Sequence, residues 1–469
     1  MRAFPRYSPF VLLFAALITT SLAQTPNDGA TAIAASGQPG YIRVAPQSLD
    51  VTQAPQALSS STVLEFPADA ISSGAIFAAD ANAANNSAGG NGGANSAASN
   101  TNSRGDSDRL PDVSTIDGLD SLATFSGAYI NQAGPRLGQL FNFTMVGNNP
   151  RLGGTTVIPA QITTVNLVLL KADGSVNATI PFTFRDLIED SPNFAATNYR
   201  SGHHLQYADA IHRAQFFHIM GEEWHTELRP GFVNDVTFTI PRFVNVRFPD
   251  GSIKPVQAYF LGTAPNGNHF VELLDLLFNF LWQNQAINDI LSGNFTTNGL
   301  SSTLFPDTYL FSIDNQGHFA GCCVLGFHTY FFENGVIPQP RWVTQFASWI
   351  SPGLFGSGFQ DVTALSHETS EVFGDPFLNN ATAPWQFPGV PPTAKICQSN
   401  LEEGDPIEVL PTATIPITLR ERHEVFVYHP QIIPLLQWFE MGKTSNAVDG
   451  AFSFPNEATL PHSALPCPQ

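Results

Sequence analysis

Asp361-Val-Thr-Ala-Leu-Ser366-His367-Glu368-Thr369-Ser370-Glu371-Val-Phe-Gly374-Asp375-Pro376 is the most informative stretch of this 469-residue chain. Asp361 to Leu365 can open a helix, and Pro376 ends one. Residues four apart share a helical face, so His367 and Glu371 point the same way and can hold one metal ion. Glu368 falls about 100° round the helix, where it can hold a water bound to that ion. This is the logic of the H-E-x-x-H zinc hydrolases, with Glu in place of the second His. The bland alternative is a solvated helix face, on which H-E-x-x-E arises by chance.

A His/carboxylate pair needs a third ligand. The acidic turn Leu401-Glu402-Glu403-Gly404-Asp405-Pro406 lies about thirty residues on, and Glu402 or Asp405 can close the site. The spacing H-E-x-x-E-x-x-G also approaches that of metzincins, but Phe377 stands where their third ligand falls. Carboxylates in number suit calcium, whereas His367 tilts the expectation toward zinc. From these residues we expect an α+β fold. Its β-rich N-terminal part, with helices, precedes a zincin-like α+β region carrying the H-E-x-x-E helix.

The same C-terminal region, residues 298–469, holds all four cysteines: Cys322, Cys323, Cys397 and Cys467. An even count in an exported chain favours disulfides, with three connectivities open. A bond between neighbours strains the peptide that joins them. The expectation is therefore that Cys322 and Cys323 each pair with one of the distant cysteines. His318 and His328 flank the pair, and each reads more readily as a structural histidine than as a ligand.

Upstream, residues 111–297 alternate β-branched runs such as Thr155 to Ile162 and Val236 to Ile240 with Asp-Gly and Asn-Gly turns. This is the pattern of a β-rich mixed domain. Helical spacing interrupts it at Leu205 to Met220 and Phe270 to Ile290. His218, Glu222 and His225 fall at i, i+4 and i+7, with His212 close by. A second metal face is one reading, and amphipathic packing of Tyr207, Ile211, Phe217 and Trp224 is the favoured one.

Residues 24–110 read as a disordered low-complexity linker, because Ala78 to Asp108 is almost wholly Ala, Asn, Gly and Ser. Residues 1–23 have the three parts of a signal peptide: Arg2 and Arg6, the apolar run Phe10 to Ile18, and Ser21-Leu22-Ala23 before the cut. The apolar run is shorter than the ~20 residues that span a bilayer, and no later segment reads as transmembrane. Cleavage takes two of the 20 Lys+Arg and none of the 39 Asp+Glu, which leaves 18 − 39 = −21. With that charge and no basic run, a nucleic-acid partner is excluded. The expected location is secreted, extracellular or periplasmic.

Gly321-Cys322-Cys323-Val324-Leu325-Gly326-Phe327-His328, then Ser366 to Glu371, Asp375-Pro376 and Glu402-Glu403-Gly404-Asp405, come in an order that resembles exported bacterial H-E-x-x-E/Asp-Pro proteins of unknown function. At a greater distance they resemble the secreted phosphate-induced (EXORDIUM-like) family. Trp438-Phe439 and Phe452-Ser453-Phe454 add to the likeness, which covers about residues 300 to 469, and Tyr207 to Ala210 and Arg213 to Phe217 echo it. The adjacent Cys322-Cys323 departs from that family's separated cysteines. The resemblance implies secretion and the H-E-x-x-E helix without a reaction.

Two functions follow as expectations. One is a secreted metal-binding protein acting as a zinc-dependent, peptidase-like hydrolase, with Glu368 as the base and His367, Glu371 and Glu402 or Asp405 on the ion. The other is a non-catalytic extracellular protein that binds a surface or polysaccharide, with a structural metal or none. A peptide or a cell-surface polymer is the corresponding partner.

Overall fold

Thr155–Leu170 is a sixteen-residue strand, largely buried, and its composition explains why. Its Val, Ile, Thr and Leu residues suit a pleated surface, and Ile158, Ala160, Ile162, Val165, Leu167 and Leu169 are all buried. It runs parallel to His225–Ile240 and to Leu300–Pro306, and antiparallel to Val176–Ile180. Leu300–Pro306 continues the sheet to Arg341–Trp349, which pairs antiparallel with Gly326–Glu333. Strands from both sides of residue 298 thus share one seven-stranded sheet. The computed structural model describes residues 44–66, 122–199, 204–221, 223–333, 335–336, 339–355, 358–389, 397–408, 410–421, 424–442 and 451–467. The segment expected to be a signal peptide, residues 1–23, and the Ala78 to Asp108 segment lie outside the described residues.

Side-chain alternation along these strands shows what covers each face. On one face, Phe327 and Phe331 of Gly326–Glu333, Phe346 of Arg341–Trp349 and Phe305 of Leu300–Pro306 meet the helix Asp275–Leu291. Phe278 stacks near Phe346 at 4.6 Å and Phe305 at 5.3 Å, and Trp282 lies 4.6 Å from Phe331. Such ring pairs add about 0.5–1.5 kcal/mol each beyond simple burial. The Trp282 indole also donates to Thr303 Oγ1 at 3.1 Å. The intervening residues point the other way. Gln345 donates to Ser302 Oγ at 2.9 Å and to Thr369 Oγ1 of the helix Thr363–Gly374 at 3.2 Å. The sheet is therefore locally the middle layer between an aromatic-faced helix and a polar-faced one.

The zincin-like α+β expectation is overturned. Among the described residues the chain is mostly sheet, and the region after residue 298 is no exception. Leu300–Pro306, Thr308–Ile313, Phe319–Val324, Gly326–Glu333 and Arg341–Trp349 follow one another as strands. The reason is in their residues: Thr, Val, Phe, Tyr and Trp crowd residues 300–349 and favour pleated, half-covered surfaces. The H-E-x-x-E segment is helical, but it is one twelve-residue helix on a sheet.

Three further points differ from the sequence reading. Within the stretch taken as unfolded, Gln47–Leu49 pairs parallel with Gly326–Glu333, and Val63–Glu65 pairs parallel with Phe243–Arg247. The cysteines pair as Cys322–Cys323 and Cys397–Cys467. The second pair has a clear cause: strand Ala381–Gln386 collects both partners. Gln386 lies opposite Cys397, and Trp385 bridges to Pro466, next to Cys467. Cys322 and Cys323 belong instead to the strand Phe319–Val324, which pairs with Thr308–Ile313 through a register shift at Phe311. Finally, helix Tyr207–Gln215 stops short of His218, and His225 begins a strand. His212, His218 and His225 therefore share no helical face, and Glu222 lies outside the described residues. No described helix is long and apolar enough to cross a membrane.

Candidate metal centre

The helix Thr363–Gly374 is buried along its whole length, which few polar helices are. Its start is shaped by Asp361, whose φ of +46° is a conformation Asp tolerates better than most residues. The Asp361 carboxylate accepts the Val362 N–H at 2.6 Å and the His429 N–H at 2.8 Å. Ser366 and Ser370 bury their hydroxyls by donating to the carbonyls of Thr363 and Ser366, at 2.9 and 2.8 Å. At the other end the Asp375 N–H donates to the Glu371 carbonyl at 2.6 Å, and Asp375 accepts from the N–H of Asn379 and Asn380. The helix packs against Gly326–Glu333, Arg341–Trp349, Tyr207–Gln215 and Leu140–Val146. Only a fold that satisfies these polar groups can bury such a sequence.

His367, Glu371 and Asp405 converge. His367 Nε2 lies 3.1 Å from Glu371 Oε1 and 3.6 Å from Asp405 Oδ1. One ligand atom from each of the three falls within 4.8 Å of the others. Glu368 stands beside them, with Oε1 3.9 Å from His367 Nε2. Glu402 reaches His328: its Oε2 is 3.8 Å from His328 Nε2. Of the two carboxylates offered as third ligand, the turn brings Asp405 to His367 and turns Glu402 toward His328.

His328 is the residue that sequence reasoning undervalued. It sits on the strand face opposite Phe327 and Phe331, pointing at the site helix. Its Nδ1 is 3.2 Å from Glu371 Oε2 and 3.6 Å from Glu368 Oε2. The available signal was the alternation Phe327-His328, which sets a polar ring on the face away from the aromatic layer. Gln431 was missed altogether, and nothing in its local sequence marks it.

Hydrogen bonds fix which nitrogen each ring presents. The Gln431 amide donates its Nε2–H to the Gly404 carbonyl at 2.6 Å, which turns Oε1 toward His367 Nδ1 at 3.1 Å. Nδ1 then carries a proton and donates it, so Nε2, which faces Glu371 and Asp405, is the nitrogen that would give up its proton to take an ion. His328 Nε2 faces the Asp375 carbonyl, an acceptor only, at 3.3 Å. Its Nδ1 faces Glu371 and Glu368 and is the nitrogen that would give up its proton to take an ion. The Gly404 N–H donates to Glu371 Oε1 at 3.1 Å, and Gln398 Nε2 donates to Asp405 Oδ2 at 2.6 Å.

The electrostatics are those of a crowded, dry, acidic site. Glu368 and Glu371 are each 4% exposed, Glu402 5%, and Glu403 wholly buried. Burial pushes the Glu368 carboxyl up, and pushes those of Glu403 and Asp405 far up, with the Glu371 charge adding to both. Glu371 goes the other way: burial opposes its ionisation, but the two imidazoles hold it below the ordinary carboxylate range. Burial disfavours charge on His328 and His367, yet the surrounding carboxylates raise both well above an ordinary imidazole.

Three glycines permit this crowding. A Cβ on Gly404 would come within 2.6 Å of the His367 ring, one on Gly326 within 2.7 Å of Glu368 Oε1, and one on Gly374 within 2.6 Å of the Glu403 carboxyl. Glu403 accepts from Gln215 Nε2 at 2.8 Å, which ties the acidic turn to the helix Tyr207–Gln215.

No protein-family model, curated protein or solved structure matches this chain. Function must therefore be argued from the site.

Three other histidines do other work. His212 is buried against Trp224, Phe216 and Phe373, and burial lowers it to about 3. His225 Nδ1 meets Asp209 Oδ2 at 2.8 Å. His318 pairs with Asp314 at the surface, 3.3 Å away.

Proposed function

We propose that this is an exported metal-binding protein in which His367, Glu371 and Asp405 take zinc and Glu368 acts as base in hydrolysis of a peptide or related bond. One observation carries the reading: His367, Glu371 and Asp405 bring three ligand atoms within 4.8 Å of one another, with His367 Nε2 turned inward and Nδ1 held by Gln431. A pair of ligands 2.0–2.2 Å from a tetrahedral ion stands roughly 3.3–3.6 Å apart. The 3.6 Å separation of His367 Nε2 from Asp405 fits that spacing, and the 3.1 Å to Glu371 would open by about 0.2 Å around an ion. Imidazole with carboxylates suits zinc. Glu368 follows His367 directly and lies at the edge of the group, where a base could take a proton from bound water.

A second reading is favoured by the depth of the site. Catalytic zinc keeps one position open, whereas structural sites are closed. With Glu368 and Glu371 only 4% exposed, a structural ion in a non-catalytic protein that binds a cell-surface polymer is the alternative.

The two separate on one experiment. His367→Ala should lose its ion and melt lower, because an ion at 1,000 times its Kd stabilises the folded state by ~4 kcal/mol. Glu368→Gln should keep the ion held by His367. Under the hydrolase reading it should lose cleavage of a mixed peptide library that the wild type cleaves. A zinc-loaded wild type that cleaves nothing supports the structural reading, and a wild type that takes no zinc removes both.

A further inference from the structure

We infer that the site is built for two divalent cations, with Glu371 as the bridging carboxylate. This deepens the proposed function and rests on the His367 site. Beside the group His367, Glu371 and Asp405, a second set of ligand atoms from His328, Glu368 and Glu371 also lies within 4.8 Å of one another. Glu371 belongs to both, and it divides its oxygens between them. Oε1 stands 3.1 Å from His367 Nε2, and Oε2 stands 3.2 Å from His328 Nδ1. A carboxylate placed this way gives one oxygen to each of two ions, as in hydrolytic centres whose ions sit ~3.5–4 Å apart.

Three further observations support a second ion. His328 has its Nε2 at the Asp375 carbonyl, so Nδ1, which faces the carboxylates, is the nitrogen that can exchange its proton for an ion. Glu368 Oε2 is buried without a hydrogen-bond partner among the described residues, and it points at that nitrogen from 3.6 Å. That distance is too long for a hydrogen bond, for which N···O runs ~2.7–3.2 Å, and it suits two ligands sharing one ion. The charge argues the same way. Glu368, Glu371, Glu402, Glu403 and Asp405 are all buried and together carry −5 when ionised. Without an ion that charge is held down by protons on the carboxyls and on both imidazoles, and divalent ions would take their place, a pair offsetting four charges where one offsets two. Glu368 would hold the second ion through Oε2, which leaves Oε1, on the His367 side, to act as the base.

The test is stoichiometry. Metal-free full-length protein is titrated with Zn²⁺, dialysed and analysed for metal. The wild type should retain about two ions per chain, and His328→Ala about one, while the ion on His367 remains. One ion in the wild type overturns the inference and leaves the proposed function standing. Two ions that persist in His328→Ala also overturn it, and no ion at all removes both readings. If His328→Ala does not fold, wild-type protein loaded with Mn²⁺ gives the answer by electron paramagnetic resonance. Ions sharing Glu371 should show a spin-coupled spectrum at two equivalents. The uncoupled six-line spectrum of isolated Mn²⁺ at that loading would overturn the bridge.

Discussion

Gly404→Ala perturbs the site without touching a ligand. The new Cβ would lie 2.6 Å from His367 Cε1 and Nδ1 and 2.7 Å from Cδ2, so it presses on the flat of the ring rather than on one movable atom. Carbon atoms rest ~3.5–4.0 Å apart, so the imidazole or the turn must give by about 0.9 Å. Neither moves easily. The ring is held by Gln431 at 3.1 Å, and the turn by Gln431 Nε2 on the Gly404 carbonyl at 2.6 Å. Metal ligands must sit within ~0.2 Å of their ideal distances, so a displacement of this size removes His367 from any ion it holds. We expect zinc affinity to fall at least ~10–100-fold, the loss usual for a disturbed supporting contact, and metal-free stability to fall by ~1–3 kcal/mol from overpacking. Competition against a chromophoric chelator reads the first, and urea denaturation in chelator reads the second. Gly231→Ala is the control, because its Cβ would meet only the Ala160 carbonyl at 3.8 Å. If Gly404→Ala bound zinc as the wild type does, the placement of His367 over the turn would be wrong.

Two other predictions follow from features outside the site. Burial lowers His212 to about 3, below its unfolded value of ~6.5, so its contribution is present above pH ~6.5 and is lost as pH falls toward 3. Between pH 7.5 and 5.0 that one group should cost ~2 kcal/mol, and urea denaturation in chelator should show His212→Phe lacking this part of the wild type's pH dependence. Equal pH dependence in both proteins would contradict the burial argument. Non-reducing peptide mapping should recover Cys397 and Cys467 in one linked pair and Cys322 and Cys323 in a single peptide without free thiol. Any crossed peptide joining residue 322 or 323 to 397 or 467 would refute the observed pairing.

What could be read from the sequence was what local periodicity controls. The helix Thr363–Gly374 was legible because Pro376 ends it and because a spacing of four places His367 and Glu371 on one face. The long strands were legible where β-branched residues run together, as in Thr155–Leu170. What failed was the inference from motif to fold. H-E-x-x-E constrains one turn and a half of helix, whereas the architecture around it is set by the aromatic and β-branched runs of residues 300–349, which the motif does not see. The two short strands at Gln47–Leu49 and Val63–Glu65 escaped for a related reason. A three-residue strand has no period to detect and exists because a neighbouring edge pairs with it.

The choice between Glu402 and Asp405 shows where the limit lies inside the site. Both are acidic, both sit in one turn, and spacing from His367 cannot separate them. The fold separates them through contacts remote in sequence. Leu401 N–H is anchored to the Asn380 carbonyl at 2.9 Å, and Asn380 is itself held by Asp375 just past the site helix and by the carbonyls of Gly374 and Thr144. At Asp405 a short helix, Asp405–Glu408, begins. The chain therefore turns between residues 402 and 405, with Gly404 lying flat against the His367 ring, so the two carboxylates leave the turn toward different histidines. A sequence reading asks which acid completes one site. The structure answers with an acid for each histidine, and Glu371 stands between them.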